Sequence, residues 1–372
     1  MTAQAQARVD GNALRANLSR VRQLARGARV MAVIKANAYG HGITNVARAL
    51  ADADALAVAR MSEAVAVRDA GSNARVLLLE GLMSANELDL AARYRFDIVV
   101  HRQDQIDMLR AYRGAVEFRV WLKIDTGMNR LGFKVKQARA AWEALRAIPC
   151  VQQPVTLMTH LACADDPQDN TATAQIALFN DVTAGWPGER SIANSAGILR
   201  LPSSHGDWVR PGLMLYGASP VAQRSADELA LTPVMTLWSK VIAIKDLLAG
   251  ERVGYGGTWV APCPTRLAIV AAGYGDGYPW RLPTGTPVLV GGLRVPMVGR
   301  VSMDMIAVNL GTNSDVAVGD EAVLWGPGLG VEELAHSIGT IPYELLCGIS
   351  QRVRIDMTTQ ASLVRPLSAL QH

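Results

Sequence analysis

Up to about residue 217, apolar runs rich in β-branched residues alternate with longer segments of helical period. The runs are RVMAVIKAN (29–37), ALAVAR (55–60), ARVLLLE (74–80), FDIVV (96–100), VEFRVWLKID (116–125), VTLMTHLA (155–162), RSIANSAG (190–197) and WVRPGLMLYG (208–217). Amphipathic stretches such as 102–113 and 134–147 lie between them. Eight strands alternating with helices predict an α/β fold whose parallel sheet closes as a (β/α)8 TIM-like barrel, compact at about 220 residues. A doubly wound open sheet has the same alternation and is the structural alternative. Past residue 230 the texture changes. TPVMTLWSKVIAI, TRLAIVAAGYG, TPVLVGGLRVPMVG and DMIAVNL read as short strands punctuated by Gly and Pro, with one helix near VEELAHSIG. The expected division is a barrel over 1–229 and a mostly β domain over 230–372.

Composition narrows the class. Half of the 372 residues are hydrophobic and 19% are charged, which supports a packed core and argues against disorder. The net charge of +4 comes from scattered basic residues without a run, so no nucleic-acid face is expected. No stretch of about 18 uncharged apolar residues occurs, so no membrane span is expected. The N-terminal MTAQAQARVDGNALRANL lacks the apolar core of a signal peptide. Cys150, Cys163, Cys263 and Cys347 are far apart, which suits free thiols in a cytoplasmic protein. Six scattered histidines show no ligand spacing, and no metal site is expected.

Chemistry in such a barrel sits at the C-terminal ends of the strands. Lys35 ends the first strand, Asp125 and Arg130 follow the fifth, and His160 ends the sixth. Asn194 and Ser195 follow the seventh, and Arg210, Pro211 and Gly212 lie on the eighth. Loops after the seventh and eighth strands commonly bind phosphate, for which a serine hydroxyl and a close-approach glycine are suited. A lysine partly desolvated at a strand end has a lowered pKa and becomes nucleophilic. A phosphate grip facing a reactive lysine is what pyridoxal phosphate requires. Each feature alone has an ordinary explanation: a snorkelling lysine, a hydrogen-bonded structural histidine, a salt-bridged arginine, a common loop. The case rests on their falling at the ends of different strands.

These segments also resemble a known family. AVIKANAYGHG resembles the cofactor-attachment signature of alanine racemases. KIDTGMNRLGF, MTHLACAD, ANSAG, RPGLMLYG, VGYGGTW, AGYGDGY, VGRVSMDM and PYELL resemble that family's further blocks, in its order, from Val30 to about Arg354. The resemblance implies a barrel followed by a β domain, pyridoxal 5'-phosphate as cofactor, alanine as substrate, and a homodimer with shared active sites. It implies that Lys35 carries the cofactor and that Tyr255, supplied by the other subunit, is the second catalytic base. By the same resemblance Tyr39, Ser195, Gly212, Leu213 and Tyr343 bind the phosphate. Arg210 lies beside the pyridine nitrogen, with His160 hydrogen-bonded to it. Arg130 and the partner-supplied Met303 meet the substrate carboxylate, and Tyr274 lines the entrance. Lys123 matches a lysine that is carbamylated in some members and orients Arg130. Gly275 stands where the family usually has alanine, Ser302 where cysteine is common, and RVRID lacks the usual proline.

Racemisation to D-alanine removes a Cα proton from one face and returns it on the other, a task for two bases. A free tyrosine, with a pKa about 10, needs cationic neighbours to serve as one of them near neutrality. Arginine cannot accept a proton, so a pyridine nitrogen facing Arg210 stays unprotonated and side reactions such as transamination are suppressed. Three rivals share parts of the pattern. A broad-specificity amino-acid racemase differs only in pocket width. A decarboxylase of this fold places a carboxylate at the ring nitrogen, against Arg210. A non-catalytic cofactor carrier is a lone barrel without Tyr255.

Overall fold

The computed structural model describes residues 4–312 and 314–358; the outer ends of the two expected domains, 1–3 and 359–372, and residue 313 lie outside the described residues. The chain forms two compact units, Ala16–Thr232 with Ile341–Cys347, and Met1–Arg15 with Pro233–Thr340 and Gly348–His372.

The first unit is a closed parallel barrel. Its strands are Arg29–Val33, Ala55–Val58, Val76–Leu78, Asp97–Val100, Val120–Asp125, Thr156–Met158, Arg190–Ser191 and Trp208–Val209. Each pairs in parallel with the next, and the ring closes where Trp208 pairs with Arg29. All eight lie within the runs read from the sequence. Residues 55–58, 97–100 and 120–125 are buried without interruption. That is expected of strands covered on both faces, and it explains why they read as unbroken apolar runs. The outer helices follow the 3.6-residue rule. Val135–Arg146 buries Ala138, Ala141, Trp142 and Leu145, a single stripe, and Trp142 stacks on Trp186 at 4.8 Å. Burying side chains such as Leu145 and Trp142 contributes roughly 1.5–3 kcal/mol each.

The N-terminal mouth of the barrel is filled with paired charges. Arg29 pairs with Glu189, and Arg75 with Asp97 at 2.6 Å. Trp208 donates to Glu189 (2.7 Å) and Trp121 to Asp97 (2.9 Å). The guanidinium of Arg29 lies 4.2 Å from the Trp208 ring, and Arg75 spans Trp208 and Trp121 at 5.1 and 5.6 Å. Burial pushes the Asp97 carboxyl up, against the pull of Arg75 and Trp121.

The second unit is mostly β. Six antiparallel strands close on themselves in the order Thr265–Val270, Ile306–Gly311, Leu293–Val298, Pro287–Val290, Glu321–Trp325 and Met235–Leu247. The long strand Met235–Leu247 shifts register at Val241/Ala243 against Thr265–Val270 and at Leu237/Trp238 against Glu321–Trp325. Burial alternates residue by residue along Ile306–Gly311, which marks one buried face. Gln6–Asp10 adds to this sheet, antiparallel to Met235–Trp238 and parallel to Arg354–Thr358. The chain therefore enters one unit before it builds the other, and Ile341–Cys347 returns to the barrel unit. A five-residue strand and a six-residue helix carry no signal of which unit they will join, so pattern alone gives no sign of either crossing.

Candidate active site

Ile34 closes the first barrel strand by donating to Ala57 O at 2.8 Å, and Lys35 follows at its C-terminal end. The next four residues, Ala36, Asn37, Ala38 and Tyr39, all have φ between 52° and 55°. Four consecutive left-handed residues that are not glycine cost roughly 1–2 kcal/mol each, so the surroundings must over-determine the turn. They do. Asn37 Oδ1 accepts from Ile43 N (2.9 Å), and His41 Nδ1 donates to Tyr39 O (2.8 Å) and Ala38 O (3.1 Å). Gly40 is pressed against Leu346, whose carbonyl would lie 2.0 Å from any Cβ there. Burial holds His41 down at about 4, so its ring is neutral and Nδ1 carries the proton. Burial and the charge of Arg130 lower the Lys35 amine, while Glu80 and Glu63 oppose them.

Arg210 lies wholly within the barrel unit. It donates to Ser191 Oγ (2.6 Å), Thr159 O (2.6 Å), Ile192 O (3.3 Å) and His160 Nδ1 (3.2 Å). A guanidinium only donates, so His160 Nδ1 accepts and its proton sits on Nε2. Burial, Arg210 and Lys123 hold His160 well below the ordinary imidazole range, in keeping with a neutral ring. Arg210 itself falls to about 10 through burial and stays charged at neutral pH. Buried Lys123 falls to about 7, through burial first and then through Arg210, Arg130 and Lys35. Among the described residues, none of Lys35, Lys123, Arg130 and Arg210 forms an ion pair. Asp125, which offsets Lys123, is itself bound to Lys134 at 2.6 Å.

Beside these cations lies a nest of neutral donors. Ser195 opens the helix Ser195–Arg200, capped by Asn194, whose side chain accepts from Gly197 N at 3.0 Å. Ser195 Oγ accepts from the amides of Gly212 (2.8 Å) and Met214 (3.4 Å), so its own proton is left to donate elsewhere. Gly212 is required by a close approach: a Cβ there would sit 2.4 Å from Tyr39 Oη. Leu213 is fully buried beneath the turn. Tyr39 stacks on Tyr216 at 4.7 Å and leans on Tyr343 at 5.8 Å. Burial raises Tyr39, and raises Tyr343 to about 12, so both phenols keep their protons. Hydroxyl donors without a carboxylate among them, next to unpaired cations, form a set that fits a phosphate-bearing ligand.

Lys35, Tyr39, Arg130, His160, Ser195, Arg210, Gly212, Leu213 and Tyr343 thus share the barrel unit. Tyr255, Tyr274 and Met303 belong to the other. There Tyr274 N and Gly275 N donate to Ser302 O and Met303 O at 3.0 and 2.8 Å, stitching two loops together. Arg352 ties the same loops through Asp276 (3.0 Å) and Asp304 (2.7 Å). A Cβ at Gly275 would approach Arg352 Nη1 to 2.7 Å and Met303 O to 3.0 Å, so a side chain there needs a small shift of the Arg352 guanidinium. Tyr255 and Met303 are 71% and 52% exposed. Thr159, Ser191, His41 and Glu63 support the site without having stood out in the sequence. The backbone bonds that define their roles leave no residue pattern, except that Glu63 sits three residues after Arg60 as a helix-capping glutamate does. Among the described residues no group of three or more His, Cys, Asp or Glu is placed to hold a metal, and no helix is long and apolar enough to cross a membrane.

Comparisons with known proteins agree on one family. Residues 9–220 match the family described as alanine racemase, N-terminal domain, and residues 234–357 match alanine racemase, C-terminal domain. An alanine racemase of Shewanella amazonensis is 51% identical, covering 94% of this chain and 98% of its own. The crystal structure of the biosynthetic alanine racemase from Pseudomonas aeruginosa superposes with a TM-score of 0.92 at 44% identity, covering 96% of this chain and 100% of that one. The alanine racemase from Bartonella henselae with covalently bound pyridoxal phosphate gives 0.86 at 28% identity, with 96% and 100% covered.

Proposed function

The chain belongs to the alanine racemase family and is an isomerase that interconverts L-alanine and D-alanine; from that premise we propose that it does so with pyridoxal 5'-phosphate carried on Lys35 and with Tyr255 of a second subunit as the other base. The observation that carries this reading is the set of unpaired cations beside a phosphate-suited nest at the C-terminal mouth of the barrel. Ser195, Gly212, Leu213, Tyr39 and Tyr343 would hold the phosphate, the phenols and the Ser195 hydroxyl donating to its oxygens. Bound there, the cofactor would supply an electron-withdrawing ring that acidifies the substrate Cα–H. Arg210 would present that ring with a group that donates and never accepts, fixed by four bonds of its own, one of them to neutral His160. The lowered Lys35 amine is suited to take or return the Cα proton on one face. Tyr255 does the same on the other face, and Arg130 and Met303 meet the carboxylate.

A second copy of the chain is supported by the exposure of Tyr255, Met303, Tyr274 and Trp280, large apolar side chains gathered on one unit. We place the enzyme in the cytoplasm, where its thiols stay reduced.

Mixed dimers test the reading. Lys35→Ala and Tyr255→Phe homodimers should each be nearly inactive. If Tyr255 acts in trans, random mixing restores roughly a quarter of the wild-type sites, each pairing the intact Lys35 of one chain with the intact Tyr255 of the other. Mixed dimers, verified with two tags, that stay inactive would reject the shared site. Optical rotation with a panel of L-amino acids separates an alanine racemase from a broader one.

A further inference from the structure

We propose that Glu63 is a positioning residue for the reaction: its carboxylate bridges the ends of the first two barrel strands and holds the left-handed turn that aims Lys35. The proposal rests on the reading of Lys35 as the cofactor-bearing residue. Glu63 Oε1 accepts from the backbone N of Ala36 at 2.6 Å, the residue next to Lys35. Its Oε2 accepts from the amides of Ala59 (2.9 Å) and Arg60 (3.2 Å), just past the second strand. One carboxylate thus takes three backbone donors from two elements, and both oxygens are occupied.

Half of this arrangement is ordinary. Glu63 is the third residue of the helix Met61–Asp69, and its bond to Arg60 N is the glutamate side of a capping box. The bond to Ala36 is not part of any cap. It crosses to the point where the chain leaves extended geometry and enters four left-handed residues. The other side-chain fastenings of that turn, Asn37 to Ile43 and His41 to Ala38 and Tyr39, hold its far end, while a backbone bond from Ala38 N to Ile34 O (2.9 Å) spans its start. Glu63 holds the near end, one peptide from the reactive side chain. Its charge also acts on the Lys35 amine, opposing burial and Arg130.

Glutamine at this position separates the two halves. Its single carbonyl oxygen can keep the helix cap, for which glutamine serves as well as glutamate, but its NH₂ group then faces the Ala36 N–H. Aspartate keeps the charge and is too short to reach both strand ends. We would measure amide exchange at Ala36 and Arg60 in the cofactor-free full-length chain, and the rate at which pyridoxal phosphate becomes borohydride-trapped. Racemisation by the loaded enzyme completes the set.

In Glu63→Gln, loss of a charge-assisted bond should speed Ala36 exchange about tenfold or more and leave Arg60 within about twofold. Cofactor trapping should slow by about the same factor, and kcat should fall with KM little changed. Glu63→Asp should loosen Ala36 similarly. Unchanged Ala36 exchange in Glu63→Gln would overturn the clamp. So would a loosened Ala36 with unchanged trapping and kcat, which leaves Glu63 a helix cap only. Wild-type behaviour in Glu63→Asp would show that charge acts rather than reach, and would also overturn it. Trapping of the cofactor at a lysine other than Lys35 in the wild type sinks the functional reading instead, while Ala36 exchange still reports on the clamp.

Discussion

At the N-terminal mouth of the barrel, Arg29 meets Glu189 and Arg75 meets Asp97, each pair roofed by a tryptophan that donates to the same carboxylate. At the C-terminal mouth, Lys35, Lys123, Arg130 and Arg210 bear on one another, and among the described residues no carboxylate pairs with any of them. Both mouths hold cations at strand ends of one sheet. The closed network satisfies its charges internally and leaves no chemistry to do. The open one costs stability in the empty protein, because like charges are gathered and desolvated. Such an arrangement is worth keeping where an anionic ligand completes it. The difference separates the end of the barrel that holds the fold from the end that acts.

The largest effect expected from breaking this contrast is at Arg210. Arg210→Glu removes donors to Thr159 O, Ile192 O, Ser191 and His160, and sets an acceptor against two carbonyls. Racemisation should fall on the order of a hundredfold or more, and the ratio of transamination to racemisation should rise. Steady-state rates for both reactions decide it; an unchanged ratio means that the ring nitrogen is not Arg210's partner. The opposite mouth should respond in stability alone. Asp97→Ala strands Arg75 and the Trp121 N–H, and should cost about 3–5 kcal/mol in denaturant unfolding while kcat stays within about twofold. A large loss of kcat without a loss of stability would erase the distinction between the mouths.

Lys123 offers a finer test. The fold holds it at about 7 against an ordinary 10.5. Between those values the unfolded chain binds the extra proton, so stability rises with pH across that window. Lys123→Met should flatten the slope and stabilise the empty protein at pH 7 by on the order of 3 kcal/mol, read from unfolding at several pH values. A slope unchanged by the substitution would mean that the amine is not strained by its neighbours.

The sequence made the two mouths unequally visible. The barrel strands were legible because residues such as Leu56, Val58, Ile98 and Val99 are buried on both faces and leave unbroken apolar runs. Side chains at their C-terminal ends, Lys35, His160 and Arg210, could be placed by counting to the end of each run. The N-terminal plug could not: Arg29, Asp97 and Glu189 look like ordinary boundary charges until closure brings their strands together. The left-handed turn after Lys35 was hidden for another reason. Ala-Asn-Ala-Tyr carries no glycine to announce positive φ, and bonds to Glu63 and His41, which lie outside those four residues, join the one to Asn37 in holding the turn. Gln6–Asp10 and Arg354–Thr358 were unreadable as partners because short strands 344 or more residues apart share no sequence mark of pairing.

The claim that the open mouth holds the cofactor is tested most directly by chemistry on one residue. The purified enzyme, loaded with pyridoxal phosphate, is reduced with borohydride, digested and mapped. The pyridoxyl group should be found on Lys35, in the peptide that carries the left-handed turn. Its appearance on Lys123 or Lys245 instead would contradict the account.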